Sequence, residues 1–369
     1  NFSVGISYEN TNSFDNNLRY EGINPNNSIA NNYADRMHLN PTSSWTNAML
    51  GTKMVEVTGS NPSDFFPIAS ELGNKNQVFD VLNKGFNSRS SIAFGGNYNN
   101  KFYIGATLAM SAFRYESSQQ FSESGWTKDR ASIVANNPNS TIADPTHADY
   151  DFVEANYELF DNYYQISEGT GIDVKIGAIY KPSLDWNIGA TITSPTWSTV
   201  DDYSESYFKT DYYDSEIETD PFSTKEIKSA YTEDTYRLVS PWKFALGLTK
   251  FFGRGLLTAD AEFIDYSSLK VRTAGYTDTQ LEADWDAEVK DNYKSSVNFR
   301  VGGEYLFTNI LSGRAGFNYY GNPYKNADNT QYSGSLGLGI KLSNTMYMDL
   351  AVVQQVNDYK VSPYSIDTE

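Results

Sequence analysis

Residues 91–111, SIAFGGNYNNKFYIGATLAMS, hold two alternating runs joined by a short polar turn. In the first, Ile92, Phe94 and Tyr98 alternate with Ala93, Gly95 and Asn97. After Asn99, Asn100 and Lys101 the pattern resumes as Phe102, Ile104, Ala106, Leu108 and Met110 against Tyr103, Gly105, Thr107 and Ala109. Successive side chains of a strand point to opposite faces, so a period of two on both sides of a turn is a β-hairpin with one apolar and one polar face.

The unit recurs down the chain. Residues 170–180 turn through Lys181 to Asp185 into 186–197, and 241–250 turn at Phe251 to Gly255 into 256–265. Residues 295–305 turn near Thr308 into 311–320, and 331–341 turn at Ser343 into 346–356. The opening NFSVGISY supplies one more run, with Phe2, Val4, Ile6 and Tyr8 in phase, giving eleven strands. Each is roughly ten residues, the length a tilted strand needs to cross a bilayer. The opposite faces are wet: Asp173 and Lys175, Asp260 and Glu262, Arg300 and Glu304, and Arg314 all fall there.

Alternation alone also suits a soluble sandwich. The connections argue for a membrane barrel. Short turns alternate with the long connections 14–90, 116–168, 198–239 and 267–294, the asymmetry of an outer-membrane barrel with short periplasmic turns and long extracellular loops. Aromatics stand where girdles belong: Tyr180, Trp186, Phe251, Phe252 and Phe307 at the short turns, Trp197, Trp242, Tyr266 and Tyr320 at the long loops. The expected fold is an all-β, transmembrane antiparallel β-barrel in the outer membrane of a Gram-negative bacterium, forming a single domain over 1–369.

Composition fits that class. The chain has 369 residues, of which 39% are hydrophobic and 15% aromatic, too aromatic for disorder and too polar for a large soluble core. With 46 Asp and Glu against 28 Lys and Arg, the net charge of −18 excludes nucleic acid as a main partner. The absence of Cys removes disulfides and thiol chemistry, and His38 and His147 are too few and too far apart for the usual metal or triad sites. No G-x-S-x-G elbow occurs, so no enzyme, cofactor or metal is expected. The first strand and 346–356 run in the same direction by this count, so the wall should not close between them. An even strand number is the rule for such barrels, and further strands are expected outside this sequence.

Residues 169–197, GTGIDVKIGAIYKPSLDWNIGATITSPTW, resemble the FadL-type outer-membrane transport proteins, specifically an Asn- and Tyr-rich branch with a G-I-x-x-K-x-G-x-I-Y-x-P strand leading to one that ends T-P-T-W. Residues 94–108, 236–252, 256–266, 299–324 and 332–341 match in the same order. The resemblance implies fourteen strands around a lumen closed by an N-terminal plug, with passive uptake of hydrophobic small molecules such as long-chain fatty acids or hydrocarbons. It also implies lateral release beside a kinked third strand, for which Gly5 is the candidate position. By the same resemblance the plug, the first two strands and the last strand are expected to lie outside this sequence. A second function from the same strands is a structural or shuttle barrel within a larger outer-membrane secretion or assembly complex.

Two groups of residues are candidate sites. Phe65, Phe66 and Ile68 in the first long connection, with Phe152, Tyr157 and Phe160 in the second, are expected to form an apolar patch that captures hydrophobic small molecules, the alternative for Phe65 to Ile68 being a plain structural tuck into the barrel mouth. The polar-face charges Asp173, Lys175, Asp260, Glu262, Arg300, Glu304 and Arg314 are expected to line the lumen, as a polar conduit or a salt-bridge network. Segment 201–234 carries eleven acidic residues against three Lys. It reads as a solvated extracellular loop, or as a holder of divalent cations bridging lipopolysaccharide. Outer-membrane lipid, and possible protein partners in a complex, complete the expected neighbours.

Overall fold

The structure, a computed structural model, describes residues 2–216, 219–229, 231–327, 329–343, 345–357 and 362–364. In chain order, β1 (Phe2–Ser13) and β2 (Asn16–Asn24) are followed by α1 (Ile29–Leu39), α2 (Ser44–Gly51), β3 (Val55–Val57) and β4 (Phe65–Pro67). Next come β5 (Lys75–Tyr98), β6 (Phe102–Trp126), α3 (Arg130–Asn136), β7 (Asn156–Ser183), β8 (Trp186–Thr193), β9 (Trp197–Tyr213), β10 (Ser223–Lys228), β11 (Thr232–Val239) and β12 (Lys243–Phe252). The chain continues through β13 (Gly255–Asp265), β14 (Lys270–Thr273), α4 (Thr279–Asn292), β15 (Ser295–Leu306), β16 (Leu311–Tyr320), β17 (Gln331–Lys341) and β18 (Tyr347–Asn357).

All but β3 and β4 join one antiparallel sheet whose main path is β1-β5-β6-β7-β8-β12-β13-β15-β16-β17-β18, eleven strands in the expected order. Among the described residues β1 and β18, which run the same way, are not paired with each other. Ile92, Phe94, Ile104, Ala106 and Leu108 all lie on the exposed face, and so do Ile172, Ile188, Leu246, Phe299, Leu336 and Val352. A monomer surrounded by water does not keep such a continuous apolar surface, whereas a wall facing lipid requires it.

The strands are much longer than their apolar stretches. β7 has 28 residues, β6 has 25 and β5 has 24. At about 3.3 Å per residue β7 extends roughly 90 Å, against ~30 Å of bilayer hydrocarbon. The connections 14–90, 116–168 and 198–239 are therefore strand over much of their length, and 267–294 holds β14 and α4. The reason the sequence hid this is visible in β6, where Glu116 to Gln120 are consecutive polar residues that nevertheless pair in register with Ile166, Gln165, Tyr164, Tyr163 and Asn162 on β7. Above the lipid both faces of a strand can be polar, and the period of two vanishes.

Three irregularities shape the wall. β1 passes through Gly5 without interruption and bulges instead between Asn10 and Asn12, breaking at Phe14 and Asp15. Opposite that break Gly85 takes φ +133°, and a Cβ there would lie 2.0 Å from the Arg114 carbonyl oxygen, so only glycine fits. The third lies where β8 gives way to β9 and β11 to β12. Thr193 pairs with Lys243 and Trp197 with Val239, so Pro195 and Pro241 face each other across the ladder. Neither can donate a backbone hydrogen bond. The gap is bridged by Thr196 N donating to Ser240 Oγ at 2.8 Å and Ser240 N donating to the Thr196 carbonyl oxygen at 3.1 Å, while on the other edge Val174 N donates to Ser194 Oγ at 2.9 Å.

The segments 25–74 and 127–155 fold into a cap with its own core. α1 buries Ile29, Ala30, Tyr33, Ala34 and Met37, a single stripe at helical spacing, behind a capping box made by Ser28 and Asn31. Met49, Met54, Phe66, Ile68, Ile133 and Phe152 complete the cluster, which packs against Phe79 and Val81 of β5, Phe121 of β6, Leu159 of β7 and Phe208 of β9.

Candidate functional site

Below the cap, the face opposite the apolar one encloses a cavity of about 690 Å³ lined from β1, β5, β6, β7, β8, β12, β13 and β15. Its floor is made of backbone. Gly95 pairs directly with Gly105, and Gly105 with Gly177, across three strands; Gly189 pairs with Gly247 across the next two. None of these glycines has a positive φ, so the residue type serves space here, not backbone conformation. A larger side chain on each would fill the lumen at this level.

The predicted lumen charges all face this side, and most are tied to one another. Arg300 bridges Asp260 at 3.0 Å and Glu262 at 2.9 Å, and Arg314 bridges Glu304 at 2.5 Å and Asp349 at 2.6 Å. Asp173 is completely buried and held by both terminal nitrogens of Arg89, at 2.8 and 2.6 Å. A bidentate guanidinium–carboxylate pair of this kind is the geometry that makes a buried charge tolerable. Lys175 lines the cavity, and among the described residues no carboxylate lies within ion-pair distance of it. The arrangement is a network bracing one wall of a lumen.

Sequence reading missed Arg89, because the strand was started at Ser91. Carrying the odd-numbered phase of Ala93 and Ser91 back by one step finds it. It also missed Lys243, which lies on the lumen face in register with Thr193, itself paired near Lys175.

The six apolar candidates divide. Phe65, Phe66, Ile68, Phe152 and Tyr157 do come together, all in the buried core of the cap, while Phe160 lies half-exposed on the opposite face of β7. Their burial makes them the interior of the cap, with no open patch between them. The pin that fastens the cap is Glu123, almost wholly buried: its carboxylate accepts from Ser28 Oγ, from Ile29 N at 3.2 Å, from Gln77 Nε2 at 2.6 Å and from Tyr157 OH at 2.7 Å. Gln77 Nε2 also donates to Tyr364 OH at 2.6 Å, so the chain beyond β18 returns to this same point.

Burial dominates the titration of the cap. It pushes the Tyr33, Tyr157 and Tyr212 hydroxyls well above the ordinary tyrosine value of 10.0, with the carboxylates of Asp161 and Glu123 adding to the first two. It also raises Asp161, against the hydrogen bond from Tyr33, and lowers Lys75, against the nearby Glu123. His38 and His147 are structural: Phe65 N donates to His38 Nε2 at 3.0 Å, and Asp149 N to His147 Nδ1 at 3.1 Å. Segment 201–234 is mostly strand, and among the described residues no group of three or more acidic or histidine side chains is placed to hold a metal ion.

No family model matches the chain, and no curated protein matches it. Solved structures similar to it include a FadL homologue of Pseudomonas aeruginosa, 17% identical over 80% of this chain and 69% of that one, with a TM-score of 0.45. Another is CymD, a monoaromatic hydrocarbon channel, 8% identical over 94% of this chain and 83% of that one, with a TM-score of 0.46. A third is the toluene transporter TbuX of Ralstonia pickettii, 12% identical over 96% of this chain and 87% of that one, with a TM-score of 0.41.

Proposed function

We propose that the protein is an outer-membrane channel for passive passage of small hydrophobic molecules, such as hydrocarbons or long-chain fatty acids. The observation that carries this reading is the glycine-floored cavity of about 690 Å³ within a wall whose other face is continuously apolar. A volume of that size suits a small organic molecule. The cap stands between the long-strand end and this cavity. A solute entering from that end meets Phe65, Phe66, Ile68, Phe152 and Tyr157 as the cap loosens, and apolar burial at about 25 cal/mol per Å² then gives a weak, reversible hold.

The test is to fill the lumen without disturbing the wall. A Cβ at Gly189 or Gly247 would meet its nearest neighbours at 3.7 to 3.9 Å, ordinary contact distances, so Gly189→Leu with Gly247→Leu should fold. Cells carrying the double variant should take up a radiolabelled hydrocarbon at the rate of cells without the protein. Uptake equal to wild type would end the channel reading. A wild-type protein that never changes uptake of any apolar compound would move the assignment to a structural subunit of a larger assembly.

A further inference from the structure

Charge is segregated along the barrel axis in the direction opposite to the chain's overall balance. The net charge is −18, yet the short turns and the strand ends beside them carry Lys101, Lys181, Lys250, Arg254 and Lys341 against one acid, Asp185. Asp185 pairs with Lys250 at 3.3 Å. Among the described residues the other four cations have no carboxylate within ion-pair distance. The turn at 307–310 has no basic residue of its own, but Arg254 reaches it, donating to the Phe307 carbonyl oxygen at 3.3 Å. The cations are therefore spread around the rim.

The same turns are unusually apolar. Leu184 is 99% exposed, and Phe252, Phe307, Ile310 and Leu342 are also exposed. A soluble partner-free surface gains nothing from such side chains, whereas the boundary between acyl chains and headgroups accommodates both them and long basic side chains. Lys250 Nζ lies 4.7 Å from the ring of Trp186, which keeps that ammonium at the girdle level.

We propose that the short-turn rim is an anionic-phospholipid docking surface, its cations holding the phosphates of the leaflet it faces while Leu184, Phe252 and Phe307 sit among the upper acyl carbons. Charge complementarity selects this occupant: several unpaired cations in a strongly acidic protein face the one component of a bilayer surface that is negative. Each such cation multiplies association with an anionic surface by about five, and salt screens the effect. The proposal rests on the membrane reading of the wall.

The full chain is reconstituted in phosphatidylcholine bilayers containing spin-labelled phosphatidylglycerol or spin-labelled phosphatidylcholine, and the motionally restricted fraction of each is compared. Wild type should prefer phosphatidylglycerol severalfold at low salt and lose most of the preference in 1 M salt, where the Debye length falls to about 3 Å from about 30 Å at 0.01 M. The variant combining Lys101→Gln, Lys181→Gln, Lys250→Gln, Arg254→Gln and Lys341→Gln should insert and show near-equal association. Equal association of both lipids with wild type, the protein being inserted, overturns the proposal and points the rim toward an acidic protein. A preference undiminished in the variant also overturns it. Failure of wild type to insert at all overturns the membrane reading instead.

Discussion

The two halves of the sheet solve different problems with one strand pattern. From β1 to β9 the wall is tall, with strands of up to 28 residues, and its upper part is covered by a cap with a buried core. From β15 to β18 the strands have 10 to 12 residues, little more than a membrane crossing, and carry no comparable core. In the short half, stability comes from the ladder and from lipid. In the tall half it comes also from water-driven apolar burial, as in a soluble domain. Lipid tails are as apolar as Leu, so only the region above the membrane can gain from the hydrophobic effect, and that is where the core lies.

The sharpest way to separate the halves is Glu123→Ala. It strands the Ser28, Gln77 and Tyr157 donors and leaves Glu71 as the remaining carboxylate near Lys75, at a cost of about 1–3 kcal/mol to cap docking for each stranded donor. Hydrogen exchange should accelerate in 25–74 and 127–155 while β15 to β18 stay protected; equal loss in both halves would show that cap and wall are one cooperative unit. Next in size is Ile104→Arg on the lipid face of β6, 54% exposed in the bare protein, expected to cost about 2–4 kcal/mol if it lies near the bilayer midplane. Refolding into lipid with an unchanged free energy would contradict the outward assignment.

A pH titration gives a third, smaller separation. The folded values of Tyr33, Tyr157 and Tyr212 are raised, so their contribution is complete below pH 10.0 and is lost as the pH climbs above it. Phenolate absorbance and cap exposure should rise together above pH 10, with the membrane strands intact; cap melting on the acid side alone would refute this. The smallest effect belongs to the connection between the halves: Arg272→Ala removes the bonds to Asp286 at 2.8 and 2.9 Å that hold α4 to β14, worth about 0.2–1 kcal/mol. A larger loss would mean that α4 has a structural role beyond this contact.

The same contrast explains what the sequence disclosed. Within the membrane every second residue must be apolar, so the eleven-strand path, its order and the facing of Ile92, Ile104 or Leu336 could be read directly. The lumen charges followed by parity, including Asp260 and Arg300. Above the membrane nothing enforces alternation: β10, the upper half of β6 and the start of β7 are polar on both faces or covered by the cap, and they read as loop. Phe65, Phe66 and Phe152 were identifiable as a set that meets, since apolar residues in long polar connections must be buried somewhere. That they would be buried against one another, pinned by Glu123 from 58 residues away, depends on pairings that no local pattern encodes.

The facing prolines, Pro195 and Pro241, give the wall a mechanical property. A continuous ladder behaves as a stiff shell, in which a push at one rim is felt at the other. Where two prolines meet, the strands are joined by a single backbone bond, from Ser240 N to the Thr196 carbonyl oxygen at 3.1 Å, and by the Ser240 hydroxyl, which accepts from Thr196 N and swivels about its side-chain torsion more readily than a peptide bends. The seam works as an expansion joint: the tower above it can sway with the load on its cap while the ring below keeps its shape.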